Sequence, residues 1–333
     1  MGCRMLLIAA PAAVVTIGLA AGVQAQDVRE FSFGYDQPKT TGYGFAGDVF
    51  EEQVAACSNG SMKINQFPGA QLGQEPVMLQ KLRSGDIDFI ITSSANGATL
   101  SPELGVMSLH FLFENEEHLA KAIASPELNA AVKQLVEDTV DGAHVLTLMT
   151  LGFRNIYSKD EVHGVDDLQG KKVRVQATKT EDVHFPAYGA QPVHMPFGEV
   201  YTSLQTGVVD MAENSVNIYL SNKHYEVAPV MSLTQHEANN NLVWISDKTW
   251  QSLTDDQKQC VERAAAEVGK QEPPHAFQLE QQSAEKLKGI GVKIVEDVDK
   301  SGFVAVAAPI QDQLAQELGP NAVEIVEIIR GIK

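Results

Sequence analysis

The chain contains 333 residues, which is too many for one ordinary hydrophobic core and suits two structural units. Its 25 lysines and arginines oppose 43 aspartates and glutamates, so the formal net charge is −18 and the surface repels nucleic acids and anionic membranes. A site that collects an anion on so acidic a protein must therefore be a local, buried cluster of positive charge.

Residues 1–25 have the features of a secretory signal peptide. Arg4 gives a basic start, an apolar stretch follows, and residues 23–25 (VQA) match a small-x-small cleavage site. Pro11 and Gly18 interrupt the apolar stretch, so it makes a poor membrane span. We therefore expect export to the periplasm, cleavage after this segment, and no stable membrane insertion.

A strand is predicted over residues 28–35 (VREFSFGY), and a G-x-G-x-x-G pattern follows over 42–47 (GYGFAG). This glycine pattern is typical of a dinucleotide-binding turn. The next strand, over 62–67, ends in Pro68 and Gly69 with no acidic residue to hold a ribose. We therefore interpret the glycines as a loop and a helix start.

One pattern, L-x-[ST]-G-x-[IV]-D, occurs once in each half of the chain, as LRSGDID over 82–88 and LQTGVVD over 204–210. In the first copy, a helix over 75–83 stops at Gly85 and a strand follows over 87–91. Two such copies indicate two similar α/β lobes, although chance can also produce so short a pattern.

The middle of the chain predicts packed elements and two long strands. In the apolar run over 108–113 (SLHFLF), we interpret His110 as a packed histidine rather than a ligand. Residues 117–137 are predicted to form one amphipathic helix. The apolar strands over 145–150 and 242–246 leave and return to one lobe, which is what the hinge of a two-lobed binding protein requires.

Two arginines stand beside β-like runs in this acidic chain. Arg154 precedes one run, and Arg174 lies between two valines. Each arginine alone is equally well explained as an edge-strand or surface residue, because a buried guanidinium leaves five donors to satisfy. Two of them in one segment favour an anion site.

The second copy of the repeated pattern supplies further polar groups next to these arginines. A helix over 197–206 is predicted to stop at Gly207, and a strand over 208–209 follows it. The strand ends at Asp210, followed by Glu213-Asn214, where a parallel sheet places its ligand-binding loops.

The C-terminal third is predicted to be mostly helical. Helices are expected over 254–272 and 276–288, a strand over 291–295, and a helical stretch over 298–330 with a break at Pro320.

No nucleophile elbow, phosphate loop or zinc-peptidase motif is present in the sequence. Glu181 and Asp182, drawn with Glu213 as an acid/base pair, are better explained as solvated residues at a helix start. The nine histidines show no ligand spacing, so no metal and no cofactor are predicted.

Two segments, RNIYSKDEVHGVDDLQGKKVRV (154–175) and YGAQPVHMPFGEVYTSLQTGVVDMAEN (188–214), resemble the solute-binding proteins of TRAP (tripartite, ATP-independent, periplasmic) transporters. The likeness extends over nearly the whole chain after the signal peptide. It implies a two-lobed periplasmic binding protein of type II-like α/β fold with crossing hinge strands. The implied ranges are 26–151 and 241–280 for lobe I, 152–240 and 281–306 for lobe II, and 307–333 for a long C-terminal helical segment.

The resemblance also implies roles for three residues. Arg174 matches the residue that pairs bidentately with an organic-acid carboxylate in this family, Arg154 matches an assisting arginine, and Asn214 matches a polar contact. The family's Q-E-N-P reads A-E-N-S here, so Ser215 replaces the proline. The resemblance therefore does not determine the conformation of this turn.

Other polar residues are candidate ligand contacts where they face the cleft between the lobes. Asparagine amides near a cleft suit a hydroxylated ligand such as an aldonate or uronate, with dicarboxylates, 2-oxo acids and sulfonates as alternatives. In the loop over 92–96 these groups either contact the ligand or form a solvated turn. The remaining candidates are Glu75, Ser94, Asn96, Asn217, His236 and Asn239.

The same topology returns the helix that carries Cys260 to lobe I, where Cys57 ends the first predicted helix. Because an exported protein meets an oxidising compartment, the two cysteines either form a disulfide or remain free thiols.

The resemblance implies a monomeric protein that captures an organic acid between its lobes and delivers it to the permease subunits of a membrane transporter. A sensory ligand-binding protein is the main alternative, and a periplasmic hydrolase or lyase is a weaker one.

Overall fold

The computed structural model describes residues 1–2 and 28–333, so the predicted signal peptide lies almost entirely outside the described residues. The described strands form one mixed sheet. The strands are β1 (Arg29–Gly34), β2 (Met62–Phe67), β3 (Phe89–Ser93), β4 (Ala143–Ser158), β5 (Lys172–Val175), β6 (Gln191–His194), β7 (Met211–Asn214), β8 (Val230–Ser246) and β9 (Lys293–Val295).

Helices flank this sheet, and no described helix is both long and apolar enough to cross a membrane. The helices are α1 (Gly42–Cys57), α2 (Glu75–Ser84), α3 (Ser94–Gly97), α4 (Glu116–Ala124), α5 (Pro126–Thr139), α6 (Lys179–Ala187), α7 (Val200–Thr206), α8 (Val216–Ser221), α9 (Asp247–Ser252), α10 (Asp255–Gly289), α11 (Ser301–Leu318) and α12 (Pro320–Gly331).

The strand order β2-β1-β3-β8-β4-β7-β5-β6 consists of two halves with the same arrangement. In each half an inner strand, β1 or β5, is parallel to both of its neighbours. The next strand, β3 or β7, then pairs antiparallel with one of the two long central strands. We call β1–β3 with α1 and α2 the first lobe, and β5–β7 with α6 and α7 the second lobe.

The repeated pattern has a structural reason in both lobes. Gly85 and Gly207 end α2 and α7 in the left-handed conformation, at φ 76° and 73°, which favours glycine. Asp88 and Asp210, the last residues of the two copies, each accept the backbone N–H of the neighbouring parallel strand at 2.8 Å. The prediction of two similar lobes is therefore correct, but the strands begin after these aspartates, at Phe89 and Met211.

The two predicted hinge strands are parts of much longer strands. β4 and β8 pair antiparallel along their whole length, with register shifts at 145/147, 150/153 and 154/156. Gly152, at φ 86°, lies within the second of these shifts. One continuous ladder therefore crosses both lobes, and its irregular middle lies between them.

Two helix predictions are wrong. The helix predicted over 117–137 is divided into α4 and α5, because Pro126 follows Ser125, whose hydroxyl accepts the Leu128 N–H as an N-cap. The two separate helices predicted over 254–272 and 276–288 are instead one continuous 35-residue helix, α10.

α10 continues through Pro273 and Pro274 because both of its ends are fixed by packing. Its first part packs beside Phe50 in the core of the first lobe. Leu287, near its end, packs with residues of the second lobe. This helix therefore spans the same boundary as the central strands.

Cys57 and Cys260 form the disulfide that the sequence left open. Their Cα atoms are 5.6 Å apart, and the bond links the end of α1 to α10 across 203 residues of sequence.

We expect the variant Cys57→Ala/Cys260→Ala to be less stable than the wild type by about 4–5 kcal/mol, because a loop this long restricts the unfolded chain strongly. Urea unfolding of the variant and of the oxidised wild type measures the difference. Reduced wild type is the control, and it should fall close to the variant. A difference below about 1 kcal/mol would contradict the chain-entropy explanation.

Candidate functional site

A largely polar cavity lies between the two lobes. The carboxyl ends of parallel strands from both lobes meet there, as in other α/β folds that hold a ligand at this edge. Its lining comprises Asp36, Gln37, Tyr43, Glu75, Ser93 and Asn96 from the first lobe, Arg174, Gln176, Phe197, Asn214 and Ile218 from the second part of the chain, and Leu151, Arg154 and Asn239 from the central strands.

Arg174 brings a buried positive charge to this cavity. The residue lies on β5 and is 2% exposed. Its Nε and Nη2 donate to the carbonyl oxygen of Met195 at 3.2 and 2.8 Å, and the guanidinium lies over the ring of Phe197. Among the described residues no carboxylate lies within ion-pair distance of it. Burial away from water lowers the pKa of Arg174. It remains a cation with donors available to an anion.

Arg154 differs from Arg174 in its partners. It is also 2% exposed, so it is as deeply buried as Arg174. Its Nε and Nη2 donate to the two carboxylate oxygens of Glu213, the second at 2.6 Å, and Glu237 lies 3.4 Å from Nε. The charge of Arg154 is therefore already compensated within the protein, and Arg174 is the cation left for a ligand.

Four more of the predicted residues line the cavity. Glu75 accepts hydrogen bonds from the Asn96 amide at 2.7 Å, from the Ser93 hydroxyl at 2.8 Å and from the Ser93 backbone N–H at 2.9 Å. Asn239 donates to the side-chain oxygen of Asn214 at 2.8 Å. These contacts fix the polar groups before any ligand is bound.

Three predicted residues lie outside the lining. Ser94 begins α3 and is buried, while its neighbour Ser93 at the strand end lines the cavity. Asn217 instead donates to Ser283 at 3.0 Å. His236 is three residues from Asn239 on β8, so it projects from the opposite face of the strand and contacts Thr234.

Eight lining residues were not predicted, although half of them lie at or just after the carboxyl end of a parallel strand. Asp36 and Gln37 follow β1, and Gln176 follows β5 directly. Burial and the negative charge of Glu75 raise the pKa of Asp36 well above its usual range. Glu181, expected to be solvated, is buried at 1% exposure because α6 packs that side of its first turn inward.

Hydrogen bonds between the lobes surround the cavity. Gln176 donates to the Ser93 hydroxyl at 2.7 Å, and Asn222 donates to Gln37 at 3.0 Å. The Gly198 N–H donates to the side chain of Gln74 at 3.1 Å. The lobes are therefore in contact in this conformation, which encloses the site.

Residues 33–318 match the family described as bacterial extracellular solute-binding protein, family 7. The 2,3-diketo-L-gulonate-binding periplasmic protein of Escherichia coli K12 is 29% identical over 326 residues, which cover 97% of this chain and 96% of that protein.

Two solved structures share the fold. The sugar acid binding protein of Advenella mimigardefordensis in complex with galactonate has a TM-score of 0.85 and 29% identity, covering 92% of this chain and 99% of that one. A TRAP periplasmic solute-binding protein of Chromohalobacter salexigens with bound D-glucuronate has a TM-score of 0.84 and 30% identity, covering 91% and 100%. These likenesses confirm the predicted two-lobed α/β fold.

The different pairing of the two arginines predicts opposite effects on stability. Arg154→Met should lower the free energy of unfolding by about 3–5 kcal/mol, because it leaves Glu213 as an unpaired buried charge. Arg174→Met should change it by less than about 1 kcal/mol, because the loss of a desolvated cation offsets the loss of its hydrogen bonds. Urea unfolding of the ligand-free proteins measures both values.

The double variant Arg154→Met/Glu213→Gln is the control, since removing both charges should restore most of the lost stability. Equal losses in the two single variants would show that the arginines have the same structural role.

Proposed function

This chain belongs to bacterial extracellular solute-binding protein family 7, and we propose that it captures a sugar acid between its lobes. The proposed ligand has a single carboxylate. The protein delivers this ligand to the permease subunits of a TRAP transporter, as the family implies. The observation that carries the ligand class is the buried guanidinium of Arg174, which has no carboxylate within ion-pair distance among the described residues and lines a cavity that also presents amides and acids.

Arg174 is assigned to the ligand carboxylate. A planar guanidinium offers two parallel N–H donors, which match the two carboxylate oxygens in distance and direction. The bonds to the Met195 carbonyl limit the rotamers of the side chain, so little entropy is lost when the ligand binds. The attraction between the ligand carboxylate and Arg174 also offsets the cost of burying this guanidinium away from water.

The acidic residues of the cavity argue for hydroxyl groups on the rest of the ligand. Glu75 accepts hydrogen bonds but repels a second carboxylate, and the carboxyl of Asp36, whose pKa is raised, can hydrogen-bond a hydroxyl; both residues are buried. The amides of Gln37, Asn214 and Asn239 offer donors and acceptors to the same hydroxyls. The ligands bound in two solved relatives, galactonate and D-glucuronate, each combine one carboxylate with several hydroxyls.

The ligand is proposed to be released unchanged by a monomeric protein that acts outside the cytoplasm after removal of residues 1–25. Hydrogen bonds between Gln176 and Ser93 and between Asn222 and Gln37 support closure of the lobes over the ligand.

A thermal-shift screen over hexuronates, aldonates, dicarboxylates, 2-oxo acids and sulfonates tests the ligand class. A ligand at about 100 times its dissociation constant stabilises the fold by about 2.7 kcal/mol. Mass spectrometry of the ligand recovered after incubation tests whether it is unchanged. Stabilisation by dicarboxylates alone would overturn the proposal.

Arg174→Lys should weaken binding of the best ligand from the screen by about 2–4 kcal/mol, because lysine keeps the charge but loses the paired donors. This is a loss of roughly thirty- to a thousand-fold in affinity. Calorimetric titration measures it, and Arg263→Lys, at an exposed position on α10, is the matched control. Unchanged affinity in Arg174→Lys would exclude Arg174 as the carboxylate site.

Glu75→Gln should shift the preference from monocarboxylates towards dicarboxylates. Removing the negative charge of Glu75 from the cavity lowers the repulsion of a second ligand carboxylate, by about tenfold or more in relative affinity. Titrations of a hexuronate and of the matching sugar dicarboxylate measure the ratio, with Asp86→Asn as the exposed control. An unchanged ratio would show that Glu75 does not select against dianions.

A further inference from the structure

A second polar cluster lies behind the cavity and is not part of its lining. It consists of His110, Glu181, His236 and Glu237, and we call it the His–Glu cluster. These four residues are 0%, 1%, 1% and 3% exposed. His110 belongs to the segment between α3 and α4, Glu181 lies on α6, and the other two lie on β8. Arg154 separates the cluster from the cavity.

Three atoms of the cluster lack the hydrogen bonds that buried polar atoms normally make. His110 Nε2, His236 Nε2 and Glu181 Oε2 have no hydrogen-bond partner among the described residues. Each unsatisfied buried polar group costs about 1–3 kcal/mol, so native proteins rarely leave several together. These three atoms are therefore available to a species outside the polypeptide.

The donor atoms are close enough to share one ligand. One nitrogen each from His110 and His236 and a carboxylate oxygen of Glu237 all lie within 4.8 Å of one another. Glu181 Oε2 lies 3.4 Å from His110 Nε2. Glu181 thus adds a second carboxylate beside this group of three donor atoms.

Both imidazoles are held by their other ring nitrogen. His110 Nδ1 lies 3.0 Å from the Tyr188 hydroxyl, and His236 Nδ1 lies 2.8 Å from the Thr234 hydroxyl. Metal-binding histidines are usually held in this way, with the second nitrogen oriented by a hydrogen bond. Both Nε2 atoms are left for the shared space.

We propose that His110, His236 and Glu237, with Glu181 as the fourth ligand, form a binding site for a divalent metal cation. Imidazole nitrogens with carboxylate oxygens are a donor set that Zn²⁺ prefers. Tetrahedral zinc with bonds of about 2.1 Å spaces its ligand atoms about 3.4 Å apart, so the side chains move inward by roughly 1 Å on binding. The cation joins the His110 segment to α6 and β8.

The test uses the full exported chain without an affinity tag, stripped with a chelator and then dialysed against zinc. Elemental analysis should find one zinc per chain, and the melting temperature should rise with zinc. Cobalt in place of zinc should give the visible absorption of a tetrahedral site. His110→Gln and the isosteric Glu237→Gln should each lower zinc affinity at least about tenfold, as expected for the loss of a ligand.

The surface supplies a matched control. His144 lies 2.6 Å from Glu137 and 2.8 Å from Asp247, an arrangement that can hold zinc adventitiously at the protein surface. His144→Gln should leave the stoichiometric zinc in place. Loss of zinc in His144→Gln but not in Glu237→Gln would overturn the proposal, as would a wild type without stoichiometric zinc. Circular dichroism checks the fold of each variant, and sugar-acid titrations with and without zinc keep the result independent of the proposed ligand.

Discussion

The antiparallel ladder between β4 and β8 is the constraint on which the rest of the molecule depends. It is continuous across both lobes, so neither lobe has an independent edge at the centre of the sheet. Arg154 from one strand and Asn239 from the other reach the cavity from this ladder, while His236 and Glu237 reach the buried cluster. The register shifts between 150 and 156 change the direction of side chains there, which separates the two sets of polar groups.

A protein with a net charge of −18 binds an anion only where geometry outweighs its overall field. The two arginines show how this is arranged here. Arg154 is neutralised by Glu213 and supports the fold, whereas Arg174 is held by a neutral carbonyl and keeps its charge. Two arginines of equal burial therefore have different consequences, because the carboxylate that neutralises one is beyond the reach of the other.

Local patterns predicted much of the fold and part of the site. The repeated L-x-[ST]-G-x-[IV]-D pattern indicated two lobes because each element of it, the glycine stop and the aspartate, acts on its nearest neighbours. Asn214 and Asn96 line the cavity as predicted, because a position beside a strand end is also a local feature of the sequence. The continuity of α10 through Pro273 and the pairing of Arg154 with Glu213 were not predicted, because both depend on contacts with residues distant in sequence.

The His–Glu cluster shows this limit most clearly. Its members come from the segment around His110, from α6 and from β8, so no spacing in the sequence connects them. His110 is buried as predicted, and one of its ring nitrogens has no hydrogen-bond partner in the described part of the chain. Glu213 contacts Arg154 directly, and its Oε2 lies 3.9 Å from His236 Nε2. The Arg154–Glu213 pair thus lies between the proposed cation and the ligand cavity. Because this part of the protein is buried and has a low dielectric constant, the charge of the cation and the charge of the bound ligand interact across the pair.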